Sequence, residues 1–155
     1  MSADKALQDT YATNHICFGC GPANPAGLQI KSYPEGDTVV TVWTPGPQHT
    51  AFPGVLSGGV IGMLFDCHSN WTAYWALINS PGGPERPTTV TAEFHVNLHR
   101  PTPLDTVRLV GRAVEVVGRR VTVETEMFDV NGERTATGGG TFVAVRDDHP
   151  LAGQW

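Results

Sequence analysis

The sequence predicts an α+β fold in which an antiparallel β-sheet wraps around one long central α-helix. An apolar segment of helical length, Gly54–Leu77, lies near the middle of the chain. Four segments with the composition of β-strands follow it, without another helical segment between them. The connections between these strands are short, and short connections make neighbouring strands antiparallel. One long helix and an antiparallel sheet are therefore the expected building blocks.

The length and the charge of the chain limit the classes of function. Its 155 residues suffice for one domain, in which we expect residues 1–30 to form a leader, 31–146 the core and 147–155 a tail. The 15 acidic and 10 basic residues give a net charge of −5, which argues against nucleic acid or a membrane as a partner. Three cysteines, and a start without a secretory apolar segment, favour a reducing, cytoplasmic location.

Alternation of apolar and polar side chains identifies the strands. Within Arg119–Gly132 the alternation has the period of a half-buried strand. Asn131 and Gly132 predict a two-residue hairpin loop, whereas Gly118 and the two arginines after it predict a looser turn. The other predicted strand segments are Asp37–Pro45, Thr88–Pro101, Leu104–Gly118 and Glu133–Arg146.

The predicted helix is apolar on almost every side, yet it contains one acidic residue, Asp66. Its length would allow a membrane span, but an intramembrane carboxylate costs about 2.5 kcal/mol or more, so we expect a core helix. One curved sheet cannot enclose such a helix on all sides in a small domain. We therefore expect a second copy to complete the cover, in a homodimer or a dimer of dimers.

Two motifs resemble a known family. "SGGVIGMLFD" (Ser57–Asp66) and "VTAEFHVNLHRPTPL" (Val90–Leu104) resemble the hotdog-fold acyl-CoA thioesterases, especially the branch with the phenylacetyl-CoA-type and human mitochondrial long-chain acyl-CoA enzymes. The late "DVNGERTATGGGTFV" is similar to their closing strands, and "CFGCGPANPAGLQI" resembles a leader of some members. The resemblance implies a hotdog fold and hydrolysis of an acyl-CoA substrate without a cofactor.

The helix start and Asp66 suit this chemistry. Gly58 and Gly59 open the helix, so unpaired backbone N–H groups point outward, and a thioester carbonyl can approach them closely. The Gly59 N–H can hold the oxyanion of a tetrahedral intermediate, which is worth roughly 3–4 kcal/mol in other acyl-transfer sites. Asp66 lies two helical turns further on the same face. A partly desolvated carboxylate there can act as general base or nucleophile.

The resemblance implies a third catalytic residue, Thr91, which orients the carboxylate. We expect Thr91 to reach Asp66 of the other subunit, because hotdog sites lie across the dimer interface. Its hydroxyl can donate to a carboxylate and accept from water. The alternative is an ordinary strand threonine, which has a good β-propensity.

Two further polar residues are expected to bind substrate. Asn70 follows Asp66 by four positions and shares its face, so it can bind the carboxylate or a water. Arg100, in "HRPTPL", matches a basic position of the family motif and is the first choice for a phosphate of coenzyme A. The other basic candidates are Lys31, Arg86, Arg112, Arg119 and Arg120.

Ser57 departs from the family pattern, which has a His-Gly-Gly at this point. We expect Ser57 to cap the helix through its hydroxyl; the alternative is that, with Gly58, it contacts the thioester. His68 does not replace the missing histidine, because two residues on a helix correspond to a rotation of about 200° away from Asp66. We expect His68 to be hydrogen-bonded in the core or at the dimer interface.

His15, Cys17 and Cys20 form an "HICFGC" cluster that could hold a metal or form a redox pair. A structural zinc needs four ligands, no second cysteine pair follows, and Cys67 is expected to be buried in the helix. A thioredoxin-like CxxC would precede a helix in a βαβ unit, and this chain predicts none. We therefore expect no metal site.

Two alternatives to the thioesterase keep the same fold. In the first, the protein binds an acyl-CoA or an aromatic ligand without catalysis, and Ser57 marks the lost activity. In the second, it is a dimeric interaction module. Release of coenzyme A from acyl-CoA thioesters separates the enzyme from both.

Overall fold

The computed structural model describes residues 4–155 and contains a curved antiparallel sheet around one long helix. Residues 1–3 of the predicted leader lie outside the described residues. The elements are α1 (Leu7–Tyr11), β1 (Tyr33–Glu35), β2 (Thr38–Trp43), a 3₁₀ turn (Pro47–His49), β3 (Thr50–Phe52), β4 (Val55–Leu56), α2 (Gly58–Ile78), β5 (Thr89–Leu98), β6 (Val107–Val117), β7 (Arg120–Phe128) and β8 (Arg134–Ala144).

Six of the strands form one sheet, in the order β1-β2-β6-β7-β8-β5, and every neighbouring pair is antiparallel. Strands β3 and β4 form a separate small ribbon just before α2. The concave face of the sheet packs on α2 through β5, β6, β7 and β8. The predicted α+β architecture, with one long helix and an antiparallel sheet, is confirmed.

The central helix α2 begins at Gly58, four residues later than the apolar segment suggested. The segment before it is extended, because Val55 and Leu56 pair with the strand Thr50–Phe52 and the Leu56 N–H donates to the Thr102 carbonyl at 2.9 Å. Within residues 4–155, no helix combines the length and the hydropathy that crossing a membrane requires.

The two sheet turns differ from the sequence prediction. The tight turn lies between β6 and β7, where Val117 pairs with Arg120 and Gly118 adopts a φ of +58°. The connection of β7 to β8 is the longer loop 129–133, because the Asp129 carboxylate accepts hydrogen bonds from two backbone N–H groups of the loop. These contacts favour a wider loop than "NG" alone predicts.

The leader and the tail pack on the same core as α2. Leu7, Ala12 and Ile30 of the leader are buried in the main apolar cluster. At the other terminus, the Trp155 ring packs against Trp71 of α2, with ring centroids 4.6 Å apart. Both terminal segments therefore help to enclose the second half of the helix.

Strand β5 forms one edge of the sheet and contains a β-bulge at Ala92, between the pairs Thr91–Phe142 and Glu93–Thr141. The extra residue changes which side chains face the helix. Before the bulge Thr91 points to α2, and after it the Phe94 side chain lies beside Gly62. A bulge of this kind redirects side chains and is common next to active sites.

Candidate active site

Thr91 and Asp66 form the centre of the candidate site. The Thr91 hydroxyl donates a hydrogen bond to Asp66 Oδ1 at 2.6 Å, between β5 and the middle of α2. The predicted pairing of these residues is present, but it lies within one chain and not across two subunits. Strand β5 packs against α2 of the same chain, and this contact brings the Thr91 side chain next to Asp66.

The surroundings of Asp66 favour a basic carboxylate. Burial raises the pKa of Asp66 above its usual value, and the hydrogen bond from Thr91 acts in the opposite direction. A raised pKa makes the carboxylate a better proton acceptor, and its contact with Thr91 keeps its orientation fixed.

A cavity of about 280 Å³ lies beside the carboxylate. Its walls combine aromatic and apolar side chains with a few polar groups, which is typical of small-molecule sites. The lining residues are His15, Cys17, Cys20, Asp66, Cys67, Asn70, Trp71, Thr88, Thr89, Val90, Thr91, Leu151, Gln154 and Trp155. The leader and the tail, which the sequence did not connect with Asp66, supply almost half of this wall.

Asn70 lines the cavity but does not bind Asp66. Its Nδ2 donates to the Thr89 carbonyl at 3.3 Å, and its buried Oδ1 has no hydrogen-bond partner within residues 4–155. Buried polar atoms are normally paired. The described residues therefore leave the hydrogen-bonding capacity of this buried amide oxygen unfilled.

The start of α2 presents the predicted glycines to the outside. Gly58 and Gly59 are exposed, and the Ser57 side chain, although at the N-cap position, makes no capping hydrogen bond. The predicted hydroxyl cap is therefore wrong. Its absence leaves the first N–H groups of the helix unoccupied by Ser57, and such groups can bind an oxyanion.

These glycines do not line the cavity around Asp66. Seven residues of α-helix rise about 10.5 Å, so Gly59 and Asp66 of one chain lie too far apart to contact the same thioester carbonyl. Ser57 and Arg100 also lie outside this cavity, and the Arg100 guanidinium is 3.5 Å from the Glu133 carboxylate at the surface.

His68 is a core residue, as predicted. Its ring is fully buried and lies within 2.9 Å of both Ser32 Oγ and the Val39 carbonyl. Burial lowers its pKa to about 4, so the ring is neutral at pH 7. It takes no part in the cavity.

A second, larger groove of about 760 Å³ lies next to the cavity, and Thr88 lines both of them. Two basic side chains, Arg86 and Arg119, line this groove together with two acidic ones, Glu85 and Asp147. Of the basic residues that the sequence singled out, these two line the space next to the candidate site.

The fold and the site together define a hotdog domain with an acid on its central helix. The chain belongs to the thioesterase superfamily, which its residues 53–136 match. A thioesterase superfamily protein from Shewanella loihica is 31% identical, with 90% of this chain and 100% of that chain covered and a TM-score of 0.68. The predicted hotdog fold and thioesterase relationship are confirmed.

Two other solved structures share the fold at lower identity. A Bacillus halodurans protein solved with CoA is 24% identical, with 77% of this chain and 76% of that chain covered and a TM-score of 0.66. The E. coli PaaI protein from the phenylacetic acid degradation operon is 16% identical, covers 77% and 81%, and has a TM-score of 0.63. No curated protein sequence matches the chain significantly.

Proposed function

We propose that the protein hydrolyses acyl-CoA thioesters to a free acid and coenzyme A, with Asp66 as general base or nucleophile. The observation that supports this most directly is the 2.6 Å hydrogen bond from Thr91, which fixes a partly buried carboxylate beside an apolar-walled cavity. Membership of the thioesterase superfamily favours the same reaction class.

The proposed reaction needs a base, an oxyanion site and a leaving thiol. Asp66 takes a proton from water while the water oxygen forms a bond to the thioester carbon. The carbonyl oxygen becomes an oxyanion, which the Gly59 N–H stabilises. The C–S bond then breaks, and the proton held by Asp66 passes to the sulfur of coenzyme A. As a nucleophile, Asp66 would instead attack the thioester carbon and break the C–S bond, and the released thiolate of coenzyme A takes a proton from solvent. Water then hydrolyses the mixed anhydride to the free acid and the Asp66 carboxylate.

The distance between Gly59 and Asp66 favours a site that is shared by two subunits. A reacting carbonyl must lie about 3 Å from both the base-activated water and the oxyanion donor. Because one helix separates the two residues by about 10.5 Å, we assign the oxyanion donor to the partner subunit's Gly59. The open edge of β5, with the exposed Phe94 and Leu98, is a surface where a second copy can pair.

Arg86 and Arg119 are the best-placed residues for the phosphates of coenzyme A. They line the groove that meets the Asp66 cavity at Thr88, and arginine binds phosphate through its charge and forked geometry. Because the Bacillus halodurans protein of the same fold was solved with CoA, CoA thioesters are the first substrates to test. The three cysteines form no disulfide within residues 4–155, which suits a cytoplasmic enzyme.

Release of coenzyme A tests this proposal. The purified protein is incubated with short-chain, long-chain and aromatic acyl-CoA thioesters, and the freed thiol is detected with a chromogenic thiol reagent. We expect turnover of at least one class. If acyl-CoA raises the melting temperature of the protein but no thiol is released, the protein is a non-catalytic ligand binder. If neither effect occurs with any class, the protein does not act on CoA thioesters.

A further inference from the structure

The segment His15–Cys20 folds over α2 and brings several metal-binding atoms together. One ring nitrogen of His15 and the sulfurs of Cys17 and Cys20 all lie within 4.8 Å of one another. Cys67, on the helix, places its sulfur 3.8 Å from the sulfur of Cys17. A residue fifty positions away thus brings a further sulfur to the CxxC pair, for which the sequence offered no fourth ligand.

We propose that His15, Cys17, Cys20 and Cys67 form a tetrahedral binding site for Zn²⁺. Zinc bonds to sulfur at about 2.3 Å, and in a tetrahedron two such sulfurs lie about 3.8 Å apart. The separation of Cys17 and Cys67 already has this value. The donor atoms of His15, Cys17 and Cys20 lie within 4.8 Å of one another, so these three need only a small contraction around the ion, and Cys67 joins them through its contact with Cys17.

The donor set selects zinc among the common cellular cations. Thiolates and imidazole are the ligands of structural zinc sites, whereas Mg²⁺ and Ca²⁺ require oxygen ligands. Three cysteines and one histidine, with two cysteines in a C-x₂-C spacing, form a known structural combination. On binding, each thiol releases its proton to solvent.

The loop around the cluster is shaped for close approach to the helix. A Cβ atom at Gly19 would lie 2.3 Å from the Cys67 sulfur, so a larger residue there would separate the loop from α2. A Cβ atom at Gly21 would lie 2.3 Å from the Cys17 backbone nitrogen. In addition, the Trp71 indole N–H donates to the Cys20 sulfur at 3.4 Å, a contact that supports a ligating thiolate.

A metal at this point would fix the leader against α2, directly beside Asp66. Cys67 follows Asp66 in the chain, and all four proposed ligands line the cavity that contains the carboxylate. Four protein ligands leave no open coordination position, so the ion would be structural and would not activate water. The site therefore stands independently of the proposed thioesterase activity.

Metal analysis of the full-length protein tests the site. The protein is produced in zinc-supplemented medium and purified with a reductant and without chelators. We expect about one zinc per chain by elemental mass spectrometry. After exchange with Co²⁺, we expect the intense visible bands of tetrahedral cobalt together with near-ultraviolet thiolate-to-cobalt charge transfer. Absence of stoichiometric zinc and of these bands would overturn the proposal.

Variants assign the ligands by competition with a chromophoric chelator. Cys17→Ser, Cys20→Ser, Cys67→Ser and His15→Gln should each weaken zinc binding at least about tenfold, the smallest effect expected when metal coordination is disturbed. His95→Gln, an exposed histidine on β5, is the matched control and should leave the affinity unchanged. Equal zinc affinity in all variants would show that the zinc is only an adventitious surface ion and would contradict the proposed site.

Two further results would also contradict it. The first is a Cys17–Cys20 or Cys17–Cys67 disulfide in protein that contains no zinc, seen by peptide mass mapping; it would make the cluster a redox pair. The second is an unchanged zinc affinity in His15→Gln, which would show that His15 is not one of the four ligands. If a cysteine variant fails to fold, the number of thiolates is read from the cobalt spectrum of the parent protein.

Discussion

The Thr91 hydroxyl donates a 2.6 Å hydrogen bond to Asp66 Oδ1, which joins an edge strand to the middle of the central helix. A β-bulge follows Thr91 directly in this strand, at Ala92. The bond leaves the second carboxylate oxygen available to the cavity, where a water or a thioester can be placed. The packing of β5 on α2 therefore positions the candidate site.

Removing the Thr91 hydroxyl should slow catalysis while the fold remains. Thr91→Val keeps the shape, and loss of a hydrogen bond to a charged group costs about 1.5–3 kcal/mol, so we expect kcat to fall roughly tenfold or more. Thr91→Ser should retain most of the activity, because it keeps the hydroxyl. Thr122→Val, on the partly exposed face of β7, is the control. A Thr91→Val enzyme with parental kcat would make Thr91 an ordinary strand residue.

Ser57 should contribute little to stability. Because its side chain makes no capping hydrogen bond, Ser57→Ala should change the free energy of unfolding by less than about 0.5 kcal/mol, as measured by urea denaturation. A loss near 1 kcal/mol is the cost of removing a working cap and would show that the hydroxyl does bind the helix start in solution. If Ser57 contacts the thioester instead, the same variant should raise KM.

The division of the site between two subunits can be tested by mixing inactive variants. Asp66→Asn removes the base, and Gly59→Pro removes one N–H in the first helical turn, where proline is tolerated. In a mixed dimer, one site combines the intact Asp66 of one copy with the intact Gly59 of the other. Random mixing should restore about a quarter of the parental activity, because half of the dimers are mixed and each has one intact site.

The control for this experiment is each variant mixed with itself, which should stay inactive. No recovery in mixed dimers, with subunit exchange verified by differently tagged copies, would place Gly59 and Asp66 of one chain in the same site. A stable monomer by light scattering, with full activity, would also contradict the shared site.

The groove next to the cavity should bind the charged part of the substrate. Arg86→Gln and Arg119→Gln are expected to raise KM several-fold with a small change in kcat, because they remove binding that is the same in ground and transition states. Arg112→Gln is the control, since Arg112 lies at the surface beside Asp37. The KM of Arg100→Gln tests in the same way the prediction that Arg100 binds a phosphate of coenzyme A. Unchanged KM in both groove variants would place the coenzyme elsewhere.

Much of the fold can be predicted from the sequence, because the patterns that indicate its main helix and strands each lie within one short segment of the chain. The apolar segment around Asp66 and the alternation in Arg120–Phe128 each fix an element without knowledge of the rest. The strands that the sequence missed, such as Val55–Leu56, are too short to show a period. The acid was recognisable because it interrupts an otherwise apolar helix.

The rest of the site depends on contacts between distant parts of the chain. The leader reaches Asp66 because Cys17 meets Cys67, and the tail reaches it because Trp155 packs on Trp71. Such docking depends on complementary shape, as at Gly19, which leaves room for the Cys67 sulfur. No periodic pattern in either segment indicates it. The contact of Thr91 with Asp66 of the same chain likewise depends on how β5 packs on α2, which is a contact between distant parts of the sequence.

The catalytic role of Asp66 is tested most directly by the kcat of Asp66→Asn. The change keeps the shape and removes the basicity, so we predict that coenzyme A release falls about 10²-fold or more. Asp37→Asn, at an exposed turn, serves as the control and should keep the parental kcat. A folded Asp66→Asn protein whose kcat stays within a few-fold of the parent would contradict the assignment of Asp66 as base or nucleophile.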